Sequence, residues 1–442
     1  MSQGKISVTI KILFLFLVIA IITLGFSVFI GFPLIEEIGR KASVSSIDLG
    51  EKAVEDSSQA LLQSAERELL SLAQDKAELS NYYFSRSENN LKFLYQVVKQ
   101  EMDIPASGTG HVYGNDSPPA DPKTSSLLHA APNASPGTNE EVGYLSDMDK
   151  YFLPLYGTNA DLDSIYIGTD TGYILVHPWT DTIPATYDPR VRPWYIDAMR
   201  TGDITWIGPY VDSSSNTLMM TGAIPIRSEA KNFSWVIGLD VRVDTINQII
   251  NSTDSGGEGY AILIDKNGDI ISKPGLSTKD TRWDEIYSAE NLLESDNPSI
   301  VSAGRNMTGG KTGVERVSMA DGESIIAYAP IASTGWSIGI VRPLSSILAP
   351  VIRTEADIRN ETAKTATTIS DNKQTVLSMY LAGSLILLFF ISLIAVVFAR
   401  YITRPIGVLM DATRVIGSGD LSKKVDLHTG DEFEELGSLF NR

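Results

Sequence analysis

The sequence predicts an α+β membrane protein. Its expected parts are a long N-terminal helix, two tandem antiparallel-sheet modules, two transmembrane helices and a helical coiled-coil segment at the C-terminus. Three observations support this fold class. An uncharged run of 24 residues lies near each end of the chain, a long segment without Gly or Pro follows the first run, and the middle of the chain contains an internal repeat.

The two apolar runs are Ile12–Ile35 and Val376–Ala399. At about 1.5 Å per helical residue each reaches roughly 36 Å, which is enough to cross a bilayer core. The basic residues on their terminal sides are Lys5, Lys11, Arg400 and Arg404. Basic flanks favour the cytoplasm, so we expect both termini inside and the large middle segment outside. A cleaved signal peptide is the alternative for the first run, but that run is longer than a usual signal-peptide core.

Composition limits the chemistry of the middle segment. The whole chain has a net charge of −18 and no cysteines. An acidic surface repels nucleic acid and anionic membrane surfaces, so no nucleic-acid partner is expected. The lack of cysteine excludes disulfides and thiolate metal sites. We expect no cofactor, while six Asn-x-Ser/Thr sequons leave glycosylation open.

The segment after the first apolar run changes character at residue 105. Glu51–Ile104 has no Gly or Pro, and its apolar residues recur at helical spacings, which predicts one long helix. Two shorter helices with a break near Asn89 and Asn90 are the alternative. Pro105–Asn139 is rich in Pro, Gly, Ser, Asp and Asn, which predicts a mobile loop outside any core. We therefore expect a Gly-Ser linker to replace it with little change in melting temperature.

The internal repeat predicts two modules of common ancestry. Ile165–Pro178 and Ala261–Pro274 both consist of an apolar strand, a polar turn with Gly, a second apolar strand and Pro. A later pair of strands follows each copy. These pairs are Ile224–Ile226 with Trp235–Asp240, and Ala329–Ile331 with Trp336–Val341. The economical interpretation is two α+β modules, each with an antiparallel sheet and flanking helices. Chance similarity between β-hairpins is the alternative.

The first copy carries charged and aromatic residues that the second lacks. They are Tyr187, Arg192, Trp194, Tyr195, Tyr210, Asp212 and Asp240. The second copy has only Arg282–Asp284 in a comparable place, and Val341 where the first has Asp240. A guanidinium binds a carboxylate through two parallel hydrogen bonds, and an Asp with aromatic rings suits an ammonium. These residue types together suit a zwitterion. Alternatively, Arg192 pairs with Asp188 or Asp197, and Trp194 and Tyr195 are core residues.

The spacing of these residues resembles the membrane-distal module of double Cache sensor domains. The resemblance covers residues 36–371 and implies two PAS-like modules. It implies that Arg192 and Trp194 contact the carboxylate of an amino-acid ligand. It places Tyr195, Asp212 and Asp240 around the amine, with Tyr187 closing the pocket.

The tail after the second apolar run resembles a HAMP linker. Arg404 and Pro405 open it, and a 3-4-3 seam, a break and a second seam follow. The first seam is Ile406, Leu409, Thr413 and Ile416; the break is 417–421; the second helix starts at Asp431 and Glu432. The resemblance implies a four-helix bundle formed by two chains, hence a parallel homodimer, with Pro405, Asp431 and Glu432 in signalling roles. A generic amphipathic tail is the alternative. Because the second helix stops at Arg442, we expect either a truncated chain or a partner that supplies the output.

These patterns together predict the domain organisation. The predicted segments are a cytoplasmic N-terminus at 1–11, transmembrane helix 1 at 12–35, a stalk helix at 36–104, an insert at 105–140, the membrane-distal module at 141–250, the membrane-proximal module at 251–350, a helix to the membrane at 351–375, transmembrane helix 2 at 376–399 and HAMP at 400–442.

These patterns predict a transmembrane receptor for a small extracellular ligand, and an amino acid is the first choice of ligand. The alternative is a receptor for an amine, a carboxylate or a purine that signals to a kinase, a cyclase or a phosphatase. A surface structural or adhesive protein is an alternative of another class. No nucleophile elbow, phosphate loop or zinc helix occurs, so we expect no catalytic residue and no enzyme activity in this chain. Asp265–Asp269 could suggest a calcium loop, but a β-turn explains it better.

Overall fold

The computed structural model describes residues 8–135, 139–251, 259–419 and 422–442. Lys5, part of the predicted insert (136–138), and Asp420 and Leu421 of the predicted HAMP break lie outside the described residues. The chain divides into two compact units. One comprises the residues up to Asp56 and from Val351 onward, and the other is Ser57–Pro350.

Helix α1, Val8–Met102, is continuous and includes the first apolar run. It has no break at Asn89 and Asn90, where the alternative interpretation placed one. The absence of Gly and Pro from residue 51 to 102 explains this continuity, because those two residues are the strongest helix breakers. Within the Ser57–Pro350 unit, one face of α1 is apolar and fully buried, with Leu69, Phe84 and Leu91 in the core.

The first sheet module, which we call the distal module, follows α1. Its elements are β1 (Leu127–Ala130), α2 (Asn139–Ser146), α3 (Asp149–Gly157), β2 (Ser164–Thr169), β3 (Tyr173–His177), α4 (Pro193–Thr201), β4 (Thr205–Val211), β5 (Leu218–Ser228) and β6 (Phe233–Arg242). The strand order is β1-β3-β2-β6-β5-β4, and every pair is antiparallel. The two central strands, β2 and β6, are buried over most of their length, as expected for a sheet covered on both faces.

The prediction that 105–139 lies outside the core is wrong. Strand β1 comes from this insert and pairs with β3, with Leu127 opposite Val176. Leu127 is fully buried, and the Ser126 hydroxyl lies 3.2 Å from the ring of buried His177. Four residues with alternating burial suffice for an edge strand, and the Pro-rich and Gly-rich sequence around them obscured the signal.

We therefore expect the insert to contribute to stability. Leu127→Ala should lower the free energy of unfolding by about 2–5 kcal/mol, because it leaves a cavity in the buried cluster to which Leu127 belongs. Leu153→Ala is the matched control, since Leu153 is 39% exposed and should change stability by less than about 0.5 kcal/mol. Thermal unfolding of both variants checks this; equal melting temperatures would restore the prediction of a dispensable insert.

The second sheet module, which we call the proximal module, follows directly. Its elements are α5 (Val243–Asn251), β7 (Tyr260–Ile264), β8 (Ile270–Ser272), α6 (Pro298–Thr308), β9 (Gly313–Met319), β10 (Gly322–Ile331) and β11 (Trp336–Pro343). The strand order is β8-β7-β11-β10-β9. Asp265 and Gly268 close the turn between β7 and β8 through a backbone hydrogen bond of 3.2 Å, which agrees with the β-turn interpretation. The predicted α+β fold with two antiparallel-sheet modules is confirmed.

Helix α1 packs against both modules. The ring of Phe84 lies 4.8 Å from that of Trp206 in the distal module and 5.3 Å from that of Trp336 in the proximal module, both edge-to-face. Aromatic pairs in this geometry contribute beyond the area they bury. The helix therefore joins the two sheets into one core.

The unit formed by residues up to Asp56 and from Val351 onward contains the second apolar run. Most of α7 (Leu344–Gly417) and all of α8 (Glu432–Phe440) belong to it. By length and composition α1 and α7 are both long and apolar enough to cross a membrane. Small residues allow close approach in this unit: Ala20, Ala395 and Ala399 are almost fully buried.

The predicted HAMP residues lie in the C-terminal part of this unit. Pro405 lies within α7, and the Asp431 carboxylate caps α8 by accepting from the Phe433 amide at 3.0 Å. Glu432 is the first residue of α8, where its negative charge suits the helix dipole. The Asn441 side chain accepts from the Val425 amide and donates to the Val425 carbonyl, at 2.6 Å each. These two hydrogen bonds fix the segment between α7 and α8 against the end of α8.

Candidate ligand-binding site

A cavity of about 350 Å³ lies on one face of the distal sheet. Strands β2, β3, β4 and β6 contribute to its lining, together with the segment between β3 and α4 and the turn after β4. The polar lining residues include Asp163, Ser164, Tyr166, Thr180, Tyr187, Arg192, Tyr210, Asp212, Ser214, Ser215, Asp240 and Arg242. A pocket with several convergent polar groups is the default candidate for a binding site.

The segment Asp188–Trp194 aims Arg192 at this cavity. Asp188 caps a 3₁₀ turn, Pro189–Val191, and its carboxylate accepts two hydrogen bonds from the Arg190 guanidinium, at 2.9 and 2.8 Å. Pro193 then starts α4 and keeps Arg192 in an extended conformation, as a residue before proline prefers. Because Arg190 occupies Asp188, and Arg200 pairs with Asp197 at 2.7 Å, the alternative pairings of Arg192 are wrong.

Arg192 is buried, and no carboxylate in the described part of the chain pairs with it. Its guanidinium donates to the backbone carbonyls of Val211, at 3.1 Å, and Trp283, at 2.5 Å. Its Nε atom has no hydrogen-bond partner among the described residues. Three rings surround the guanidinium carbon at 5.4 to 5.9 Å: Tyr187, Tyr210 and Trp283. Carbonyl oxygens and aromatic faces stabilise a cation without neutralising it, so the positive charge remains available to an anion.

Asp240 is the buried acid of the cavity. In the antiparallel register it lies between Ser164 on β2 and Thr221 on β5. Its carboxylate accepts from four hydroxyls. The donors are Thr221 at 2.5 Å, Tyr166 at 2.6 Å, Ser164 at 3.2 Å and Tyr210 at 3.3 Å. Burial raises the pKa of Asp240 to about 7, and the nearby charge of Asp212 adds to the effect, while the hydroxyls oppose it. A cationic ligand would relieve this penalty.

Glycines make room for the rings behind these charges. A Cβ atom on Gly238 would collide with the ring of Tyr166, and a Cβ on Gly168 would collide with that of Trp194. Gly238 therefore lets Tyr166 lie against the sheet with its hydroxyl directed to Asp240, and Gly168 makes the same room for Trp194. The same close approach packs the rings of Tyr166 and Trp194 at 4.8 Å.

Asp212 is fixed by the turn after β4. Its Oδ2 atom accepts from the amides of Ser214 and Ser215, at 2.8 and 2.7 Å, and from both of their hydroxyls. All of these hydrogen bonds end on one oxygen. Asp212 therefore serves as a rigid second acid in the lining rather than as a partner for Arg192.

The structure brings six of the seven predicted site residues to the cavity. These are Tyr187, Arg192, Trp194, Tyr210, Asp212 and Asp240. Tyr195 is the exception: its hydroxyl donates to the Ser234 carbonyl at 3.0 Å, and its side chain is absent from the lining. On a helix, consecutive side chains point about 100° apart, and on α4 it is Trp194 that faces the cavity. The structure therefore does not bring Tyr195 to the cavity with the other six residues.

Sequence reasoning missed Tyr166, Ser164 and Thr221, which hold Asp240. A signal was available in the repeat for Tyr166 and Thr221, because their equivalents in the proximal module are Ile262 and Ile326. Gly238 pairs with Tyr166 as Gly339 pairs with Ile262, and Asp240 pairs with Thr221 as Val341 pairs with Ile326. The proximal module therefore has an apolar cluster where the distal module has a carboxylate and its hydroxyl donors.

Comparison with known proteins agrees with this architecture. The family model of the Cache domain (dCache_1) matches residues 57–351, and that of the HAMP domain matches residues 397–442. The methyl-accepting chemotaxis protein McpA of Pseudomonas putida is 31% identical over 285 residues, which cover 63% of this chain and 38% of the relative. PctB of Pseudomonas aeruginosa, also a methyl-accepting chemotaxis protein, is 28% identical over 282 residues, with the same coverage of 63% and 38%. The chain thus spans about two fifths of the length of these relatives.

Two solved structures also match part of this chain. The ligand-binding domain of the P. aeruginosa amino acid chemoreceptor PctB, in complex with L-Arg, is 24% identical, with a TM-score of 0.43 and coverage of 64% of this chain and 96% of that domain. The ligand-binding domain of Pseudomonas fluorescens CtaA, in complex with L-isoleucine, is 18% identical, with a TM-score of 0.43 and coverage of 66% and 97%. Since the Cache model matches more than half of the chain, this protein belongs to the Cache domain family in its double form, and it carries a HAMP domain that begins at the end of its second apolar run.

Proposed function

We propose that this chain is the sensing part of a transmembrane chemoreceptor, and that the cavity of the distal module binds an α-amino acid. One observation carries the proposal. Among the described residues, the buried Arg192 guanidinium has no carboxylate partner and the buried Asp240 carboxylate has no cationic partner, and both line the same cavity. A ligand with both a carboxylate and an ammonium compensates both charges. An amine alone would leave Arg192 unpaired, and a carboxylate alone would leave Asp240 unpaired. Either case is costly in a buried site.

In this proposal Arg192 holds the ligand carboxylate. Its unpartnered Nε and its charge supply the attraction, while Tyr187 and Tyr210 keep the guanidinium oriented. Asp240 and Asp212 hold the ammonium, and the hydroxyls of Tyr166 and Thr221 keep the Asp240 carboxylate aimed into the cavity. Trp194 is a wall of the site, and its burial of 99% suits packing better than a direct hydrogen bond.

A screen of the full chain in lipid nanodiscs tests the proposal. The panel contains the twenty L-amino acids, simple amines, simple carboxylates and purines. A ligand at 100 times its Kd stabilises the folded state by about 2.7 kcal/mol, which raises the melting temperature by several degrees. We expect this shift for one or more amino acids and for none of the other classes. A shift with a purine or a simple carboxylate, and with no amino acid, would overturn the assignment.

Signal transmission follows from differential binding. A ligand shifts a receptor only if it prefers one of its conformations, and a change from mostly off to mostly on needs about 5.5 kcal/mol of preference. In our proposal, closure of the distal module around the ligand is transmitted through the proximal module to α7, which continues from β11 to the HAMP segment. Pro405, Asp431 and Glu432 would then take part in switching a bundle formed by two parallel chains. A cytoplasmic output, in this protein or in a partner, would read that switch.

The proposed orientation places both termini in the cytoplasm. Lys11, Arg400 and Arg404 flank the apolar runs on their terminal sides, and basic residues favour the inner side. We expect a reporter fused after Arg442 to be active only when it requires the cytoplasm. The same reporter inserted at the exposed 115–118 loop serves as the opposite control, and activity of the Arg442 fusion outside the cell would contradict the orientation.

A further inference from the structure

Trp283 belongs to the proximal module but contacts the guanidinium of the distal cavity. It lies in the segment between β8 and α6, 91 residues after Arg192. Its backbone carbonyl accepts from the Arg192 Nη1 atom at 2.5 Å, and its ring lies 5.5 Å from the guanidinium carbon. The same ring is 6.0 Å from that of Tyr187. Trp283 therefore contacts two side chains that line the candidate site.

The charged neighbours of Trp283 form hydrogen bonds with each other. The Arg282 guanidinium donates to both oxygens of Asp284, at 2.9 and 2.5 Å, and the Glu285 amide closes a turn on the Arg282 carbonyl at 3.0 Å. These charged groups are mostly exposed, whereas Trp283 is half-buried. The Arg282–Asp284 stretch is thus not a degenerate copy of the distal site. It is a turn that presents one indole to the other module.

Arg192 borders two spaces at once. It lines the distal cavity, and it also lines a larger cleft between the two modules, to which Trp283 and Trp206 contribute. One side of its guanidinium is fixed by the Val211 and Trp283 carbonyls, and its faces are covered by rings. A planar cation held in this way has a defined orientation, and orientation decides whether two parallel hydrogen bonds to a carboxylate can form.

We propose that Trp283 is a positioning residue for the ligand carboxylate, so that the proximal module completes the binding site of the distal module. The inference rests on the proposed function, in which Arg192 holds that carboxylate. Because one guanidinium makes both contacts, occupancy of the cavity and the contact between the modules are thermodynamically linked. The link gives the proximal module, which has an apolar cluster at the equivalent position, a direct part in sensing.

Calorimetry on the full chain in nanodiscs tests this inference. The probes are the twenty L-amino acids and their primary amides, in which a neutral carboxamide replaces the carboxylate. We expect Trp283→Ala to weaken the tightest-binding amino acid roughly 5- to 30-fold, since an indole face next to a desolvated guanidinium contributes on this scale. Trp283→Phe keeps a ring and should restore most of the affinity. Ile286→Ala is the control from the same turn, since Ile286 is 96% exposed, and should change nothing.

The amides separate positioning from general damage. If Trp283 acts through Arg192, Trp283→Ala should affect amide binding much less than acid binding, and the double variant Arg192→Ala/Trp283→Ala should bind no more weakly than Arg192→Ala. Unchanged affinity for the amino acid in Trp283→Ala, or equal losses for acid and amide, would overturn the inference and leave the proposed function intact. A wild-type chain that binds no member of the panel would overturn both.

Discussion

Replacing Arg192 with alanine should weaken amino-acid binding by about 2–5 kcal/mol, which corresponds to a rise in Kd of roughly 30- to 4,000-fold. The expected loss is large because Arg192 is 7% exposed and its guanidinium pairs with no carboxylate in residues 8–135, 139–251, 259–419 and 422–442. Its removal also leaves the ligand carboxylate in a cavity next to two acids, Asp212 and Asp240. Calorimetry with the amino acid identified in the screen measures this loss.

The same variant should also lose some stability. Arg192 donates to the carbonyls of Val211 and Trp283, and leaving buried acceptors unsatisfied costs about 1–3 kcal/mol. Arg192→Lys separates the two effects, because it keeps the charge but loses the planar fork, so an intermediate affinity is expected. Arg200→Ala is the control, since Arg200 is exposed and pairs with Asp197. Wild-type affinity in Arg192→Ala would exclude Arg192 from the site.

Replacing Asp240 with asparagine should weaken ligand binding and stabilise the unliganded protein at the same time. The amide keeps the shape of the carboxylate but removes the charge that attracts the ammonium, so we expect a loss of roughly 10- to 100-fold in affinity. Stability should rise because a buried charge near Asp212 disappears. A residue that reduces stability in order to bind is characteristic of a ligand site.

The pH dependence follows from the raised pKa of Asp240. Its pKa is about 7 in the folded state against an ordinary value of 3.8, so the folded protein binds this proton more tightly than the unfolded chain. The resulting stabilisation is full below about pH 4 and is lost as the pH rises through 7. The advantage in melting temperature of Asp240→Asn over wild type should therefore be small at pH 5 and grow to a plateau above pH 7.

Ligand affinity should change in the opposite direction with pH. Wild-type affinity should rise between pH 5 and pH 8 as Asp240 ionises, and the affinity of Asp240→Asn should stay flat. Asp197→Asn is the control, because Asp197 is paired with Arg200 at the surface and should follow the wild type in both measurements. Parallel melting curves for wild type and Asp240→Asn across this pH range would show that Asp240 is not a buried, strained acid.

The internal repeat made much of the fold predictable. Two copies with the same strand, turn and proline pattern indicate two sheets, and the distal copy alone has Arg192 and Asp240. A closer comparison of the copies also distinguishes Tyr166 from Ile262 and Thr221 from Ile326, because strands of equivalent register carry equivalent positions. Residues that differ in polarity at equivalent positions of one fold mark the place where the two modules differ in function.

Other features depend on long-range contacts that local patterns do not encode. Strand β1 is four residues long, and only its pairing with β3 shows that Leu127 belongs to the core. The hydrogen-bond partners of Arg192 are the backbone carbonyls of Val211 and, in the other module, Trp283, and any residue type can supply a carbonyl. Tyr195 shares a motif with Trp194, but the direction of a side chain on α4 is set by where the helix packs.

The most direct test of the central claim compares both ends of one ligand. Calorimetry on wild type, Arg192→Ala and Asp240→Asn would use an amino acid, its primary amide and its 2-hydroxy acid, which lack the carboxylate charge and the ammonium respectively. We predict that Arg192→Ala abolishes the preference for the acid over the amide and leaves the preference for the amine. Asp240→Asn should do the reverse. If both substitutions affect the same end of the ligand, or neither changes a preference, Arg192 and Asp240 do not hold opposite ends of a zwitterion.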